Sequence, residues 1–338
     1  MACTNPLRRI EFNENNIKFI SLKKYEWIKE NDPYTMETII TNACRNDTIP
    51  CGKCTGCRLE RSRQWANRIL TEMKEYPKDT NWFLTLTYND ENIPTKTVKN
   101  KKTGETITGK TLNKKDLQTF MKSLRKHYER KYEEQGIRFF AAGEYGEQTN
   151  RPHYHLCMMN MKIHTELKKL KNNNNGDALY TNEEIENIWG KGNISIGLLT
   201  WESAAYTARY IMKKQLGAEA EWFYKSQAKE PEFTVMSRKP GIGLKYLEEN
   251  YEKIYQTDEI TVPKKGGAMK IKPPKYFDKK MEEAYPEFMQ ILKEKRKWQQ
   301  ENAERIKDSQ TTLTREERRK IQERTYEEKR KALPRKEI

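Results

Sequence analysis

The pattern of hydrophobic and polar residues predicts several strands in the middle of the chain. Residues 82–88 and 137–144 are short runs rich in β-branched, aromatic and small apolar residues, bounded by turn-forming residues, so we predict buried strands there. Residues 153–160 follow a turn at 146–152 and are the expected antiparallel partner of the strand at 137–144. Residues 194–199 predict one more short strand.

Helical spacing predicts helices beside these strands. One helix follows Cys57, and a second begins at Asn113 and ends at Gly136. Residues 201–216 predict another. The apolar positions of the first two are Trp65, Ala66, Ile69, Leu70 and Met73, and Leu117, Phe120, Met121, Leu124 and Tyr128. Strands and helices mixed with a hairpin favour an α+β fold with a central antiparallel sheet flanked by helices.

A third short helix is expected to end at Trp189, with Thr181 and Glu184 as its capping box. The remaining segments lack a clear period. Residues 1–50 are expected to be irregular, and the Lys/Thr/Gly-rich residues 95–111 to form a loop. Residues 240–243 predict only a tight turn.

The composition changes after residue 278. Residues 279–338 hold 18 Lys and Arg against 13 Asp and Glu. We expect a solvated helical tail, in part disordered, although a segment that holds DNA or a partner is an alternative. One docking stripe is expected from Met281, Tyr285, Phe288 and Leu292. The predicted organisation is therefore an N-terminal region at 1–75, a central domain at 76–250, and a linker with a charged tail at 251–338.

The charge balance indicates the kind of partner. The 338 residues include 65 Lys and Arg against 49 Asp and Glu, a formal net charge of +16, so a polyanion is the first partner to consider. No segment approaches the roughly 20 apolar residues of a membrane span. The N-terminus lacks the apolar stretch of a secretory signal. We therefore expect neither an integral-membrane nor a secreted protein.

Cysteines cluster near the N-terminus. Cys51, Cys54 and Cys57 are spaced as C-x2-C-x2-C, and Cys44 lies seven residues before the first of them. Thiolates at this spacing can bind one tetrahedral ion, with Cys44 as the fourth ligand, so a structural Zn²⁺ is one prediction. An iron–sulfur site would use the same thiolates but lacks the usual Cys-Pro ligand. Unligated thiols in a tight, basic turn are the other alternative.

The helix after the cysteines is basic. Its apolar stripe is expected in the core, while its arginines are suited to a phosphate backbone. The predicted DNA contacts are Arg58, Arg61, Arg63 and Arg68.

Two histidines are the strongest candidates for chemistry. His153 and His155 lie two positions apart on a predicted strand, so both imidazoles face one side of the sheet. Two neutral imidazoles can bind one metal ion. Glu144, across the predicted hairpin, would add a carboxylate, and Glu147 is the competing acid because the turn register is open.

Two tyrosines follow on a predicted helix. Tyr206 and Tyr210 are four residues apart and share one helical face, which Lys213 and Lys214 can reach. A phenol has a pKa of about 10, so it is a poor nucleophile at neutral pH unless a metal or cation assists it. Tyrosines at this spacing are otherwise packing residues.

Together these features resemble a known superfamily. The strand TLTY, then the histidine pair, then Y-x3-Y with lysine resembles the rolling-circle replication initiators among the HUH endonucleases. More closely, PCGKC, the arginine-rich residues 58–68, GEYG followed by RPHYH, and MSRKPGIG resemble the initiators of gokushovirus-type Microviridae phages. The resemblance covers roughly residues 44–250.

The resemblance implies a mechanism. His153, His155 and Glu144 would hold Mg²⁺ or Mn²⁺, and Tyr206 and Tyr210 would be the nucleophiles, with Lys213 or Lys214 steadying the phosphate or phenolate. One tyrosine would cut single-stranded origin DNA, leaving a 5′-phosphotyrosine and a 3′-hydroxyl that primes synthesis. The second would cut the regenerated origin and close the circle.

The resemblance also implies a setting for this activity. No Walker A pattern is present in the sequence, so a host helicase is an expected partner, in the cytoplasm of a bacterial host. The competing hypotheses are a nonenzymatic zinc-dependent nucleic-acid-binding protein and a transposase of the same superfamily.

Overall fold

The computed structural model describes residues 3–99, 104–146, 149–173, 176–209, 219–264 and 267–332. The strands are β1 (Leu7–Asn13), β2 (Asn16–Ser21), β3 (Arg45–Ile49), β4 (Trp82–Thr87), β5 (Thr95–Lys99), β6 (Thr106–Lys110), β7 (Arg138–Tyr145), β8 (Pro152–Met159), β9 (Lys168–Asn172), β10 (Ala178–Thr181), β11 (Ile194–Leu198), β12 (Phe233–Met236), β13 (Ile260–Lys264) and β14 (Gly267–Ile271). The helices are α1 (Leu22–Asn31), α2 (Pro33–Asn42), α3 (Thr55–Met73), α4 (Lys114–Tyr132), α5 (Glu183–Trp189), α6 (Trp201–Arg209), α7 (Ala220–Ser226), α8 (Leu244–Thr257), α9 (Lys275–Ala284), α10 (Pro286–Ser309) and α11 (Arg315–Ala332).

A seven-stranded sheet organises the larger part of the fold. Its strand order is β12-β7-β8-β4-β11-β10-β9, and neighbouring strands pair in antiparallel fashion. Strands β7 and β8 form the predicted hairpin. The α+β class and the antiparallel sheet flanked by helices are therefore confirmed.

Alternate residues of the central strands build two different faces of this sheet. We define the α4 face by the residues that pack with helices α4 and α5, which are Leu84, Leu86, Tyr154, Leu156 and Met158. We define the α6 face by the intervening residues, on the side of Ile69 of α3 and of helix α6, which are Phe83, Thr85, His153, His155 and Cys157.

Helix ends differ slightly from the prediction. The side chain of Asn113 caps α4 by accepting a hydrogen bond from the backbone N–H of Lys115, as predicted. The helix ends at Tyr132, because Glu133 already adopts a left-handed conformation at φ 57°. The capping box from Thr181 is wrong: Asn182 caps α5 instead, and its side chain accepts from the N–H of Ile185.

The N-terminal segment is not irregular. Strands β1, β2 and β3 form a sheet of order β2-β1-β3, and Ile10, Tyr25, Ile28 and Ile39 form a small core with α1 and α2. The prediction failed because β1 is held by polar pairs that mask its alternation. Arg9 forms an ion pair with Asp47 across the strands at 3.0 Å.

Residues 95–111 also contradict the predicted loop. Strands β5 and β6 pair in register from Thr95 with Lys110 to Lys99 with Thr106. Their side chains are mostly Thr and Lys, so the sequence shows no apolar face that would mark a strand.

Residues 240–243 form more than a turn. Arg138 donates from Nη2 to the Pro240 carbonyl oxygen at 2.7 Å, and Arg68 donates from Nε to the Ile242 carbonyl oxygen at 3.0 Å. The N–H of Gly243 donates to Glu72 at 2.6 Å. A Cβ at Gly243, whose φ is +80°, would lie 2.8 Å from the Thr71 hydroxyl, so a larger residue there would strain the packing.

The tail is helical, as predicted. Its buried apolar residues differ from the predicted stripe. Met281 and Leu292 are buried as predicted, whereas Tyr285 and Phe288 are 45% and 44% exposed, and Met289 is buried in their place. The chain divides into one compact unit from residues 1–61 with 287–335 and another from 62–286. No helix within the described ranges is both long and apolar enough to cross a membrane.

Candidate functional site

Strands β7 and β8 bring the candidate acid and the two histidines together. In their antiparallel register Glu144 lies opposite His153, and Ala142 lies opposite His155. Because side chains alternate along a strand, all three ligating side chains lie on the α6 face. Glu144 and His155 are each 1% exposed and His153 is 5% exposed, so the cluster is protected from bulk water.

The distances within the cluster fit a shared ion. Oε1 of Glu144 lies 2.9 Å from Nε2 of His153 and 2.9 Å from Nε2 of His155. Ligands at right angles around an ion, with bonds of about 2.1 Å, lie about 3 Å apart. One ligand atom from each residue lies within 4.8 Å of the others.

The outer nitrogens of both rings have partners that orient them. Nδ1 of His153 lies 3.0 Å from the Arg151 carbonyl oxygen, and Nδ1 of His155 lies 3.0 Å from Oγ1 of Thr85. A carbonyl oxygen only accepts, so Nδ1 of His153 carries a hydrogen, and in the neutral ring Nε2 presents a lone pair. That lone pair faces a carboxylate oxygen, and a cation between them removes the repulsion. The donor set therefore fits a divalent metal ion.

The carboxylate is ionised, as a ligand must be. Burial alone would raise the pKa of Glu144, but the two histidine side chains beside it outweigh burial and hold this pKa well below its usual range.

Helix α6 places Tyr206 against the same cluster. The rings of Tyr206 and His155 meet edge to face with centroids 5.5 Å apart, and Phe83 stacks on His155 at 5.6 Å. Ala204 and Thr207 are small and fully buried, which lets the helix approach the sheet closely. The guanidinium of Arg209 lies 5.6 Å from the centre of the Tyr206 ring. The predicted partners Tyr210, Lys213 and Lys214 lie outside the described residues, as does Glu147.

The sequence did not predict the residue that orients the His155 ring through a hydrogen bond. Thr85 belongs to β4, whose register places it opposite His155. The sequence hinted at this role only through the polar Thr85 inside the mostly apolar run at 82–88. Its role becomes clear once β4 and β8 are known to pair.

The structure brings four cysteines together, but one of them is not the one that was predicted. The sulfur atoms of Cys3, Cys51, Cys54 and Cys57 lie within 4.8 Å of one another. Cys44 is exposed instead, and its thiol donates to the Glu11 carbonyl oxygen at 3.1 Å. The five residues of β3, roughly 17 Å of extended chain, separate Cys44 from Cys51. Cys3 therefore takes the position predicted for Cys44.

The predicted DNA-binding arginines fall into two groups. Arg61 and Arg63 are exposed and Arg58 is half-buried on α3. Arg68 is used for packing, because its guanidinium lies 4.2 Å from the ring centre of Trp65 and 3.8 Å from that of Tyr276.

Comparisons with known proteins point to one family. Residues 81–215 match the family model for replication-associated proteins of the ORF2 type. The chain is 38% identical over 298 residues to replication-associated protein ORF2 of Spiroplasma virus 4, covering 88% of this chain and 86% of that protein. It is 31% identical over 243 residues to replication-associated protein VP4 of Bdellovibrio phage phiMH2K, covering 71% and 69%.

A shorter match extends the set. The chain is 27% identical over 169 residues to replication-associated protein ORF4 of Chlamydia phage 1, covering 49% of this chain and 38% of that protein. No solved structure matches the chain. The family predicted from the motifs is confirmed: the chain belongs to the family of viral replication-associated proteins that includes those of Spiroplasma virus 4 and phage phiMH2K.

Proposed function

We propose that this protein starts rolling-circle replication by cutting one strand of origin DNA with a tyrosine, in a reaction that needs a divalent metal ion. The observation that carries the proposal is the buried cluster of Glu144, His153 and His155 with Tyr206 packed against it. Membership of the replication-associated family supports the same conclusion.

The cluster is suited to a phosphate as substrate. Glu144, His153 and His155 would hold Mg²⁺ or Mn²⁺, which supplies polarisation of the scissile phosphate and offsets the charge of the displacement. The carboxylate suits Mg²⁺ and Mn²⁺, and the imidazole pair also suits other transition metals. Thr85 and the Arg151 carbonyl keep the two rings turned toward the ion.

A tyrosine is the nucleophile in this proposal. The phenol oxygen of Tyr206 bonds to phosphorus while the bond from phosphorus to the 3′ oxygen breaks. The phenol proton passes through solvent to the departing 3′ oxygen. The products are a 5′-phosphotyrosine and a free 3′-hydroxyl, so one phosphodiester replaces another and no nucleotide is hydrolysed.

Tyr206 has surroundings that help this role. The positively charged guanidinium of Arg209 lies beside its ring and would attract the negatively charged phosphate. Tyr210 is the proposed second nucleophile for closing the circle, with Lys213 or Lys214 steadying the phosphate.

Binding and unwinding of the DNA complete the proposal. Arg58, Arg61 and Arg63 are the proposed contacts with the phosphate backbone of single-stranded origin DNA. A host helicase is the proposed unwinding partner in the cytoplasm of the bacterial host.

Covalent capture of DNA tests this function directly. Single-stranded oligonucleotides tiled along the genome that encodes this chain are labelled at their 3′ ends, because a 5′-phosphotyrosine keeps the 3′ fragment on the protein. They are incubated with the full chain and Mn²⁺ and run on a denaturing gel. We expect a labelled protein band with wild type and none with Tyr206→Phe/Tyr210→Phe. Tyr180→Phe, the same change on β10, is the matched control and should keep the band.

The outcomes separate the competing functions. A band that persists in the double variant contradicts the choice of nucleophiles. If wild type binds the oligonucleotides but cuts none of them, the protein is a nonenzymatic DNA-binding protein.

A further inference from the structure

Four cysteines that are distant in sequence meet around one point in the N-terminal unit. Cys3 precedes β1, Cys51 and Cys54 lie between β3 and α3, and Cys57 lies in the first turn of α3. Their sulfur atoms all lie within 4.8 Å of one another, and each residue is buried or half-buried.

The spacing of the sulfurs fits a single tetrahedral ion. Zinc–sulfur bonds of about 2.3 Å in a tetrahedron place neighbouring sulfurs about 3.8 Å apart. Sγ of Cys54 lies 3.8 Å from Sγ of Cys3. A disulfide needs about 2.05 Å, and all six cysteines are free. A [4Fe–4S] cluster binds each thiolate to a different iron and a [2Fe–2S] cluster shares four thiolates between two irons, so both need some of the sulfurs farther apart.

The backbone around the cysteines is arranged for thiolates. The N–H groups of Cys51 and Cys54 point at the sulfurs of Cys3 and Cys51, each at 3.3 Å, and that of Cys57 points at Cys54 at 3.4 Å. Such donors stabilise negative charge on sulfur. Gly52 adopts φ +73°, which turns the chain so that Cys51 and Cys54 face the same point.

We propose that Cys3, Cys51, Cys54 and Cys57 bind one structural Zn²⁺ ion. Four protein ligands leave no open position for substrate, which is the arrangement of structural rather than catalytic zinc. Binding converts the four thiols to thiolates and releases their protons to solvent. The ion fixes the N-terminal residues to the start of α3, the helix that carries Arg58 and Arg61.

Metal analysis of two matched serine variants tests the ligand set. The full chain, with an affinity tag that contains no histidine, is made in a Glu144→Gln/His155→Ala background so that the second cluster contributes no zinc. We expect one zinc per chain by mass spectrometry of the metal. Cys3→Ser should lower this to near zero, whereas Cys44→Ser should leave it unchanged.

A thiol titration on the unsubstituted protein gives an independent result if Cys3→Ser fails to fold. Removal of zinc with a strong chelator should make four further thiols reactive toward a thiol reagent, beyond those that react before. Replacement by Co²⁺ should give the absorption bands of a tetrahedral thiolate site.

The results that would overturn the proposal are specific. They are wild type without zinc after growth in zinc-supplemented medium, zinc retained by Cys3→Ser, or iron in place of zinc. None of these measurements involves DNA, so a failure here is distinct from a failure of the proposed cleavage.

Discussion

The α4 face and the α6 face of the large sheet are made by alternate residues of the same strands, yet their chemistry differs. On the α4 face, Leu84, Tyr154 and Leu156 are completely buried in an apolar core. On the α6 face, His153 and His155 lie at nearly the same depth and point toward Glu144. Burying polar groups costs roughly 2 kcal/mol or more unless they are paired. One face is therefore held by apolar packing, and the other by polar side chains that depend on one another as partners, as the proposed metal site requires.

Each side of the sheet also has its own histidine–glutamate cluster. Glu184 of α5 accepts hydrogen bonds from His127 at 2.7 Å, Lys131 at 2.6 Å and Tyr132 at 2.8 Å, and so links α5 to the α4 segment. Its described partners include a cation and a hydroxyl donor. Glu144 instead faces two imidazoles whose outer nitrogens are already held. A contact between histidine and glutamate is therefore not enough for a metal site, and the proposed site rests on two imidazoles that are held facing one carboxylate.

The largest expected difference comes from the same substitution in both clusters. Glu144→Gln keeps the shape of the side chain and removes the charge that a metal needs. We expect Mn²⁺-dependent cleavage of origin DNA to fall about 10³-fold, because metal polarisation is worth several kcal/mol and each 1.4 kcal/mol is about tenfold in rate.

Glu184→Gln is the matched control and should leave the cleavage rate unchanged. Rates are compared by single-turnover cleavage, and Mn²⁺ binding is measured by calorimetry. Equal losses in both variants would mean that the two clusters do not differ in function.

The next effect concerns the α4 face. Leu156→Ala removes a fully buried side chain that packs with α4, so we expect the free energy of unfolding to fall by about 2 to 5 kcal/mol. Urea denaturation measures this change. Cleavage by the remaining folded protein should be unaffected, and a loss of cleavage without a loss of stability would contradict the division of roles.

The sequence predicts the candidate site better than the rest of the molecule, for physical reasons. His153 and His155 are neighbours on one strand, and a single hairpin brings in Glu144, so local rules suffice. Cys3 could not be paired with Cys51 in this way, because only the tertiary fold brings them together. Thr85 likewise required the pairing of β4 with β8.

The fold was predicted where apolar alternation is strong, and missed where polar pairs replace it. Strands β7 and β8 are buried throughout, and most of their residues are apolar. In β1, Arg8 donates to the Thr48 hydroxyl and Arg9 pairs with Asp47, so cross-strand polar contacts hide the strand.

A smaller effect is expected from the residue that orients His155. Thr85→Val keeps the side-chain shape and removes the hydroxyl 3.0 Å from Nδ1. Loss of such a partner lowers metal affinity by about 10- to 100-fold. Mn²⁺ titration followed by calorimetry measures it. Thr97→Val on β5, a strand that belongs to a different sheet, is the matched control, and an equal loss there would contradict a specific role for Thr85.

The smallest effect should separate the two carboxylates by pH. Hydrogen bonds from Lys131, His127 and Tyr132 outweigh burial and lower the pKa of Glu184 from 4.5 to about 2. Its pairing therefore stabilises the fold above the unfolded pKa and is lost as the pH falls toward 2. Since Lys131 is half exposed, we expect this pairing to contribute about 1 kcal/mol to the free energy of unfolding. Glu184→Gln should be less stable than wild type at about pH 7, and the two should converge as the pH falls to about 2. Urea denaturation at both pH values measures the difference in the free energy of unfolding, and Glu183→Gln on the exposed side of α5 is the control. A difference between Glu184→Gln and wild type that stays constant with pH would show that the charge of Glu184 does not stabilise the α4 face.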